Sequence, residues 1–303
     1  MNVQFISVEI MPKTSFSIAK SDIVETINNL SINVFRLSEL EEVLEQNRAS
    51  WRVSKNTATA TFLHYLQEHA GLKRVELKFP NRKEIRYVWH NATIYQILMT
   101  LKGNPYFTHF TAMSIHHLTE QIPKVIYVNC EGRSIPRADG ELEQHGIDLA
   151  FNGRGRPSNN ITTFKDHKVC LLNGKRTEQL GVIDGKGPDG EYIRVTNVER
   201  TLIDITVRPM YSGGASEILR AFRIAKEKDL VSANKLVATL QKLDYIYPYH
   251  QAIGFYMERS GVYDNFSLDM LKQFNMKYDF YLIHQMKEHA YSKEWRLFYP
   301  KGF

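Results

Sequence analysis

Residues 21–89 change their hydrophobic spacing several times, and this order of segments constrains the fold more than any other feature of the chain. Three stretches repeat apolar residues at helical spacing, and two later stretches alternate apolar and polar residues as half-buried strands do. In chain order the segments are SDIVETINNL, the short extended NVFR, LSELEEVLEQN, TATATFLHYLQEHAG, KRVELKF and EIRYVW. Helix, short strand, helix, helix and hairpin is the order of a winged helix-turn-helix domain. We therefore predict such a domain over residues 1–90, with residues 1–19 as a short N-terminal arm.

The charge of this segment favours a nucleic-acid partner. Between Arg48 and Arg86 there are nine basic residues and three acidic ones, within a chain whose net charge is +6. In a winged helix the third helix enters the major groove, while the hairpin tip, here PNRK, reaches phosphates or the minor groove. The residues expected to contact double-stranded DNA are Arg48, Arg52, Lys55, Asn56, Thr57, Thr61, His64, Lys73, Arg74, Lys78, Arg82 and Lys83.

Length and composition describe an ordinary soluble chain. Its 303 residues predict two domains, and no apolar run is long enough to cross a membrane. The N-terminus lacks the pattern of a secretory signal, and the two cysteines, Cys130 and Cys170, stand alone, as is typical of a reducing cytoplasm. The histidines of HYLQEH and HQMKEH are five residues apart, which does not place them on one helix face. We expect a cytoplasmic protein without membrane contact, bound metal or cofactor.

From residue 91 to 303 the patterns of helices and strands alternate without repeats. Segments such as KVIYVNC, HKVCLLNG and YIRVT predict strands, and ANKLVATLQKL and YHQAIGFYMERSG predict helices. The sequence therefore predicts an α+β protein, in which the winged helix is followed by a larger mixed α/β domain.

Several motifs of this second part occur together in an order that resembles a known family. They are GNPYFTHFTAMSIHHLTEQIPKVIYVN, IDLAFNGRGRPSNN, KVCLLNGKRTEQLGV, VTNVERTLIDITVRPMYSGG and YPYHQAIGFYMERSG. The chain resembles the AbiEi family of antitoxins and transcriptional regulators of type IV toxin-antitoxin systems, which act in abortive infection against phage. That resemblance implies an N-terminal winged helix and a C-terminal antitoxin domain over residues 91–303. It also implies a non-enzymatic protein that represses its own operon and counteracts a toxin resembling a nucleotidyltransferase.

The resemblance leaves the manner of both interactions open. Neutralisation with or without direct contact with the toxin fits the motifs equally. So do different oligomeric states, including a monomer that binds promoter repeats cooperatively.

The stretch VTNVERTLIDITVRP carries the clearest helix of the second part. Thr196 and Glu199 are spaced as a capping box, and Pro209 follows the helix. Arg200, Asp204 and Arg208 are four residues apart, which places the aspartate between two guanidinium groups on one side of a helix. A structural ladder of ion pairs is the first interpretation, and a partner-binding face and a catalytic acid are the alternatives.

The motif GRGRP at residues 153–157 offers a second basic feature. Two arginines separated by glycine suit a narrow minor groove, because glycine permits close approach and the groove attracts guanidinium groups. We expect Arg154 and Arg156 to form an auxiliary DNA or partner contact, with an ordinary surface loop as the alternative.

Two other classes of function stay open at this point. One is a nucleic-acid-processing enzyme of defence, such as a nuclease, whose winged helix delivers the substrate. The other is an adaptor whose winged helix binds only protein.

Overall fold

The computed structural model describes residues 15–132 and 141–303, and it divides into two compact units. The first unit runs to Leu77 and resumes over Lys83–Thr93. The second comprises Lys78–Arg82 and Ile94–Phe303. Most of the predicted N-terminal arm lies outside the described residues, and the described part of it begins with a short helix whose Phe16 is buried.

The chain up to Val88 forms four helices and a three-stranded sheet. Its elements are α1 (Ser15–Ile18), α2 (Lys20–Asn28), β1 (Val34–Phe35), α3 (Leu37–Asn47), α4 (Thr59–His69), β2 (Lys73–Phe79) and β3 (Arg82–Val88). Strand β3 is central, between β1 and β2, and its pairing with β1 is antiparallel. The order of helices and strands is therefore the predicted one.

One hydrophobic core joins the helices of the first unit to its sheet. Phe35, Leu40, Phe62 and Leu66 are each fully buried in it. The helical spacing of Phe62 and Leu66 places both on the inner side of α4, as the sequence predicts. Ala58, which the same helical spacing would place on the buried side, is exposed because its backbone is extended and precedes the first turn of α4.

The second unit begins with a six-stranded mixed sheet and three of its helices. In chain order these elements are α5 (Ile94–Met99), β4 (Tyr106–Phe107), α6 (His109–Ile115), β5 (Val125–Asn129), α7 (Gln144–Asn152), β6 (Ile161–Phe164), β7 (His167–Leu172), β8 (Val182–Lys186) and β9 (Tyr192–Thr196). The strand order is β6-β7-β5-β4-β9-β8. Strands β5 and β7 are parallel, so the chain crosses over between them through α7 and β6.

The rest of the second unit is a helical layer followed by a small sheet. Its elements are α8 (Val198–Val207), the 3-10 helix Pro209–Tyr211, α9 (Ala215–Glu227), α10 (Ala233–Leu243), α11 (Tyr249–Ser260), α12 (Asn265–Lys272), β10 (Phe280–Tyr281), β11 (His289–Ser292) and β12 (Leu297–Pro300). Leu202, Phe222, Tyr256 and Trp295 are fully buried among these elements. Together the described elements confirm an α+β protein, and none of the described helices has both the length and the apolar character needed to span a membrane.

Two buried histidines of the second unit make its stability sensitive to acid. Burial lowers the pKa of His109 and of His250 from 6.5 to about 4. The His250 ring lies flat against Phe274 with 5.0 Å between centroids. Each histidine is therefore neutral in the folded protein at a pH where the unfolded chain already binds a proton.

We predict that the free energy of unfolding falls as pH decreases from about 6.5 to about 4, because the unfolded state gains protons first over that window. At pH 5 each histidine accounts for a loss of about 2 kcal/mol relative to pH 7.5. Chemical denaturation of wild type and His250→Phe at the two pH values measures this. The variant keeps a flat ring against Phe274, so its loss between pH 7.5 and 5 should be smaller by about 2 kcal/mol. An equal loss in both proteins contradicts the assignment to His250.

Candidate nucleic-acid interface and cationic cavity

The exposed face of α4 carries short polar side chains. Thr61 and His64 are exposed on the helix, and Lys55 and Asn56 are exposed just before it. No side chain caps the first turn of α4, so its free backbone amides are available to a phosphate. This face suits close approach to base edges, since none of these side chains is buried against the core.

Arg48, a basic residue of the predicted DNA-contact set, is bound on several sides by groups of the first unit itself. Its guanidinium donates to both carboxylate oxygens of Glu45, at 2.7 and 2.8 Å, and to the carbonyl oxygens of Ser54 and Thr57. Only 11% of the Arg48 side chain is exposed. We therefore assign Arg48 to bracing the loop before α4, and Thr57 is half-buried in the same loop.

The other basic residues of the predicted DNA-contact set lie on the surface, whereas Arg86, which is outside that set, is buried and lies 3.0 Å from Glu84. Those that are exposed are Arg52, Lys73, Arg74, Lys78, Arg82 and Lys83. Glu76 lies 3.3 Å from Arg74 and 3.8 Å from Lys83, and the Arg82 guanidinium lies over the Phe79 ring at 5.8 Å. Exposed ion pairs of this kind are weak, so these cations can exchange their partners for phosphates at little cost.

Within the second unit, Arg200 and Asp204 form a buried pair. Arg200 Nε lies 2.7 Å from Asp204 Oδ1, and both side chains are less than 10% exposed. The Thr108 hydroxyl donates to the other carboxylate oxygen of Asp204 at 2.9 Å. Burial alone would lower the pKa of Arg200, but the adjacent carboxylate raises it above its usual value. This arrangement is structural and keeps Asp204 away from solvent.

Arg208 does not complete the predicted ladder. Helix α8 ends at Val207, and Arg208 is the C-cap with φ −133° and ψ 69°. The chain has therefore left the helix before the third residue of the spacing, and the Arg208 side chain is exposed. The prediction that Asp204 lies between two guanidinium groups is therefore wrong for Arg208.

A carboxylate just after strand β5 fixes the loop that follows β7. Glu131 accepts hydrogen bonds from the backbone amides of Thr177 and Gln179, at 3.0 and 3.1 Å, and from the Thr177 and Tyr106 hydroxyls. Although burial opposes it, these donors lower the pKa of Glu131. Arg200 reaches the same loop by donating to the Leu180 carbonyl at 2.7 Å. The buried pair and Glu131 thus hold residues 173–180 in place.

That loop lines one side of a cavity of about 1060 Å³, which we call the cationic cavity. Its other walls come from α7 and the GRGRP loop, from the end of α8, and from the segment between α10 and α11. Five cationic side chains line it, and its described lining contains no carboxylate: Arg154, Arg156, Lys175, Arg176 and Arg208. Rings and apolar side chains make up much of the rest: Leu149, Phe151, Tyr245, Ile246, Tyr247, Tyr249 and His284.

The glycine between the two arginines of GRGRP packs closely against its neighbours. A Cβ at Gly155 would lie 2.3 Å from Met210 Cε, the end of a flexible side chain, and 3.4 Å from the His284 ring. His284 in turn stacks on Phe151 with 4.4 Å between centroids, and burial lowers its pKa. The loop is therefore pressed onto this floor, and Arg154 and Arg156, on either side of Gly155, are both exposed along the cavity.

The cavity lies at the carboxyl ends of the parallel strands β5 and β7. The pairing of these strands continues beyond them, since Cys130 N donates to Leu172 O at 3.0 Å and Gly132 N to Gly174 O at 2.9 Å. Gly174 is packed against Asn129, whose side chain accepts from the Gly174 amide at 2.8 Å. In open sheets this edge is where ligands commonly bind, because the loops of neighbouring strands diverge there.

The structure thus brings together residues that the sequence suggested for separate reasons. Arg154 and Arg156 came from the minor-groove motif and Arg208 from the helix ladder, and all three line the cavity. Sequence reasoning missed Lys175 and Arg176, whose signal is the turn-forming NGKR directly after a buried strand. Lys175 also tethers this loop to the end of α10, since its Nζ donates to Leu243 O at 2.7 Å and to Asp244 O at 2.9 Å.

In residues 15–132 and 141–303, no three His, Cys, Asp or Glu side chains are grouped so that they could hold a metal ion. Cys130 and Cys170 are buried and form no disulfide within the described residues, and burial raises the pKa of Cys170.

Comparison of the fold with solved structures finds a similar one in the crystal structure of the RV2827C protein from Mycobacterium tuberculosis. The TM-score is 0.56 with 11% sequence identity, and the match covers 92% of this chain and 90% of that chain. At this identity the likeness is one of fold. No protein-family model matches the chain, and no curated protein sequence matches it.

Proposed function

We propose that this chain is a DNA-binding repressor of its own operon and the antitoxin of the toxin encoded with it, acting in the cytoplasm. The first unit is interpreted as a winged helix-turn-helix, with α4 as the recognition helix and the β2–β3 hairpin as the wing. The observation that carries this proposal is the exposed polar face of α4, together with exposed cations in the loop before it and on the β2–β3 hairpin. A helix with this surface can enter a major groove while the cations neutralise phosphates.

The antitoxin part of the proposal rests on the motifs of the second unit that resemble the AbiEi family. Those motifs include the strand β5, the strand β7 with its NGKR loop, helix α8 and helix α11. They imply a partner resembling a nucleotidyltransferase. The structure contributes the separation of the chain into two compact units, which is what two separable activities require.

Repression of the promoter and protection from the toxin should therefore be separable by substitutions in the full chain. We expect Asn56→Ala with Thr61→Ala to raise expression from the operon's own promoter about tenfold, because base contacts on the recognition helix are lost. The same variant should protect cells from the induced toxin as well as wild type does. A reporter gene behind the promoter and a growth assay with the adjacent nucleotidyltransferase-like gene measure the two activities.

The matched control is Asn29→Ala with Ser31→Ala, two exposed polar residues at the end of α2 that are outside the predicted DNA-contact set. It should repress and protect like wild type. If the α4 variant loses protection along with repression while it accumulates normally, DNA binding is itself the protective activity and the proposed division is wrong.

A further inference from the structure

The cationic cavity of the second unit has no role in the DNA contact proposed above. It lies wholly within that unit, and its volume of about 1060 Å³ is at the upper end of the range for small-molecule sites. Five cationic side chains and no carboxylate in its described lining give the cavity a positive potential, which attracts anions. The imbalance indicates an anionic ligand.

We propose that the cationic cavity binds a nucleoside phosphate, either free or within an unpaired strand of nucleic acid. The arginines would hold the phosphates and the ring-lined wall would hold the base.

The phosphate part follows from the guanidinium groups. Arg154, Arg156, Arg176 and Arg208 are exposed along the cavity, and none of them forms an ion pair with a carboxylate among the described residues. Guanidinium groups match phosphate oxygens with two parallel hydrogen bonds, which is why arginine recurs at phosphate sites. Lys175, which is already bound to two carbonyl oxygens, adds charge from the wall.

The nucleoside part follows from the uncharged wall. Tyr245 and Tyr247 are half-buried there, so each ring keeps part of its surface open. Ile246 and Leu149 are 58% and 64% exposed and add apolar surface to the same wall of the cavity. Rings and apolar side chains next to cations are the surface on which unpaired bases stack.

The walls are rigid enough to select a ligand. Gly155 packs against Met210 and His284. The loop after β7 is held by its hydrogen bonds to Glu131, and Lys175 of that loop donates to the Leu243 carbonyl at the end of α10. A concave site of this kind does not suit the insertion of Arg154 and Arg156 into a minor groove, which requires a protruding loop. Nucleoside phosphates and unpaired strands fit where a duplex does not.

The test is calorimetric titration of the full-length protein, in 150 mM salt, with each of the four ribonucleoside triphosphates, with an unstructured 12-nucleotide RNA, and with inorganic tripolyphosphate. We compare Arg154→Gln with Arg208→Gln against the control pair Arg220→Gln with Lys242→Gln, which removes the same charge from exposed positions outside the cavity. Nucleotide or RNA binding should weaken about tenfold or more in the cavity variant. It should change less than about twofold in the control.

The comparison between probes also distinguishes the two sources of ligand. A triphosphate that binds more tightly than the RNA identifies a free nucleotide. RNA that binds more tightly than any triphosphate, with an affinity that the α4 variant Asn56→Ala with Thr61→Ala leaves unchanged, identifies an unpaired strand. Tripolyphosphate binding as tight as any nucleotide overturns the nucleoside assignment. An absence of binding by all probes at millimolar concentration, or equal weakening by the control pair, overturns the site. None of these outcomes depends on whether the first unit represses a promoter.

Discussion

Replacing Asp204 with alanine should destabilise the second unit by about 3–5 kcal/mol. The change removes the only carboxylate within ion-pair distance of Arg200 among the described residues and leaves the guanidinium buried. It also takes away the acceptor of the Thr108 hydroxyl. An exposed ladder of charges, which the spacing of Arg200, Asp204 and Arg208 alone predicts, would lose less than about 1 kcal/mol. Denaturant unfolding, followed by the fluorescence of the buried Trp295, measures the difference.

The control is the double variant Arg200→Met with Asp204→Asn, which removes both charges and stays close to the original volume. It should be less destabilised than Asp204→Ala, because no buried charge is left without a partner. If Asp204→Ala lowers the free energy of unfolding by less than about 1 kcal/mol, the buried pair does not hold α8 in place as described.

Gly254→Ala should be equally severe, with a loss of about 3 kcal/mol or more. Gly254 lies inside α11, and a Cβ there would come within 2.1 Å of the Trp295 ring. Trp295 is fully buried, and its indole nitrogen donates to Glu258 at 2.9 Å, so the ring cannot move aside freely. The gain in helix propensity, about 1 kcal/mol, is too small to offset the clash.

A helix glycine with open space provides the matched control. Gly146→Ala in α7 meets nothing within 4 Å and should be neutral or slightly stabilising. In a Trp295→Phe background, Gly254→Ala should cost less than in wild type, since the outer ring atoms that it strikes are gone. If both glycine changes prove equally mild, the contact between α11 and Trp295 is not as close as described.

The order of helices and strands could be predicted because the spacing of apolar residues in each segment shows which of its side chains are buried. The residues at which helices begin and end were harder to predict. Asn197, not Thr196, caps α8, and its side chain accepts from the Arg200 amide at 2.8 Å. Helix α3 likewise begins after Arg36, whose amide donates to Glu39 at 2.6 Å, although the spacing of Ser38 and Glu41 alone would predict a capping box two residues later. Several neighbouring polar residues can serve as caps, and tertiary packing decides among them.

The cationic cavity could not be predicted from the sequence. Arg154, Arg176 and Arg208 stand far apart along the chain, after α7, β7 and α8 respectively, and all three line the same cavity. No local pattern encodes a parallel pairing across a crossover, because it depends on contacts distant in sequence. The arginines were visible as basic residues, but their convergence was not.

The most direct measurement of the central claim is the affinity of the full-length protein for its own promoter duplex and for a scrambled duplex, by fluorescence anisotropy between 50 and 200 mM salt. The account predicts at least about tenfold preference for the promoter and a steep fall of both affinities with salt, since several phosphates are neutralised. Asn56→Ala with Thr61→Ala should abolish the preference, and Arg82→Glu with Lys83→Glu should weaken both duplexes about equally. Equal affinity for the two duplexes in wild type, or binding that salt does not weaken, would contradict recognition of the promoter through α4.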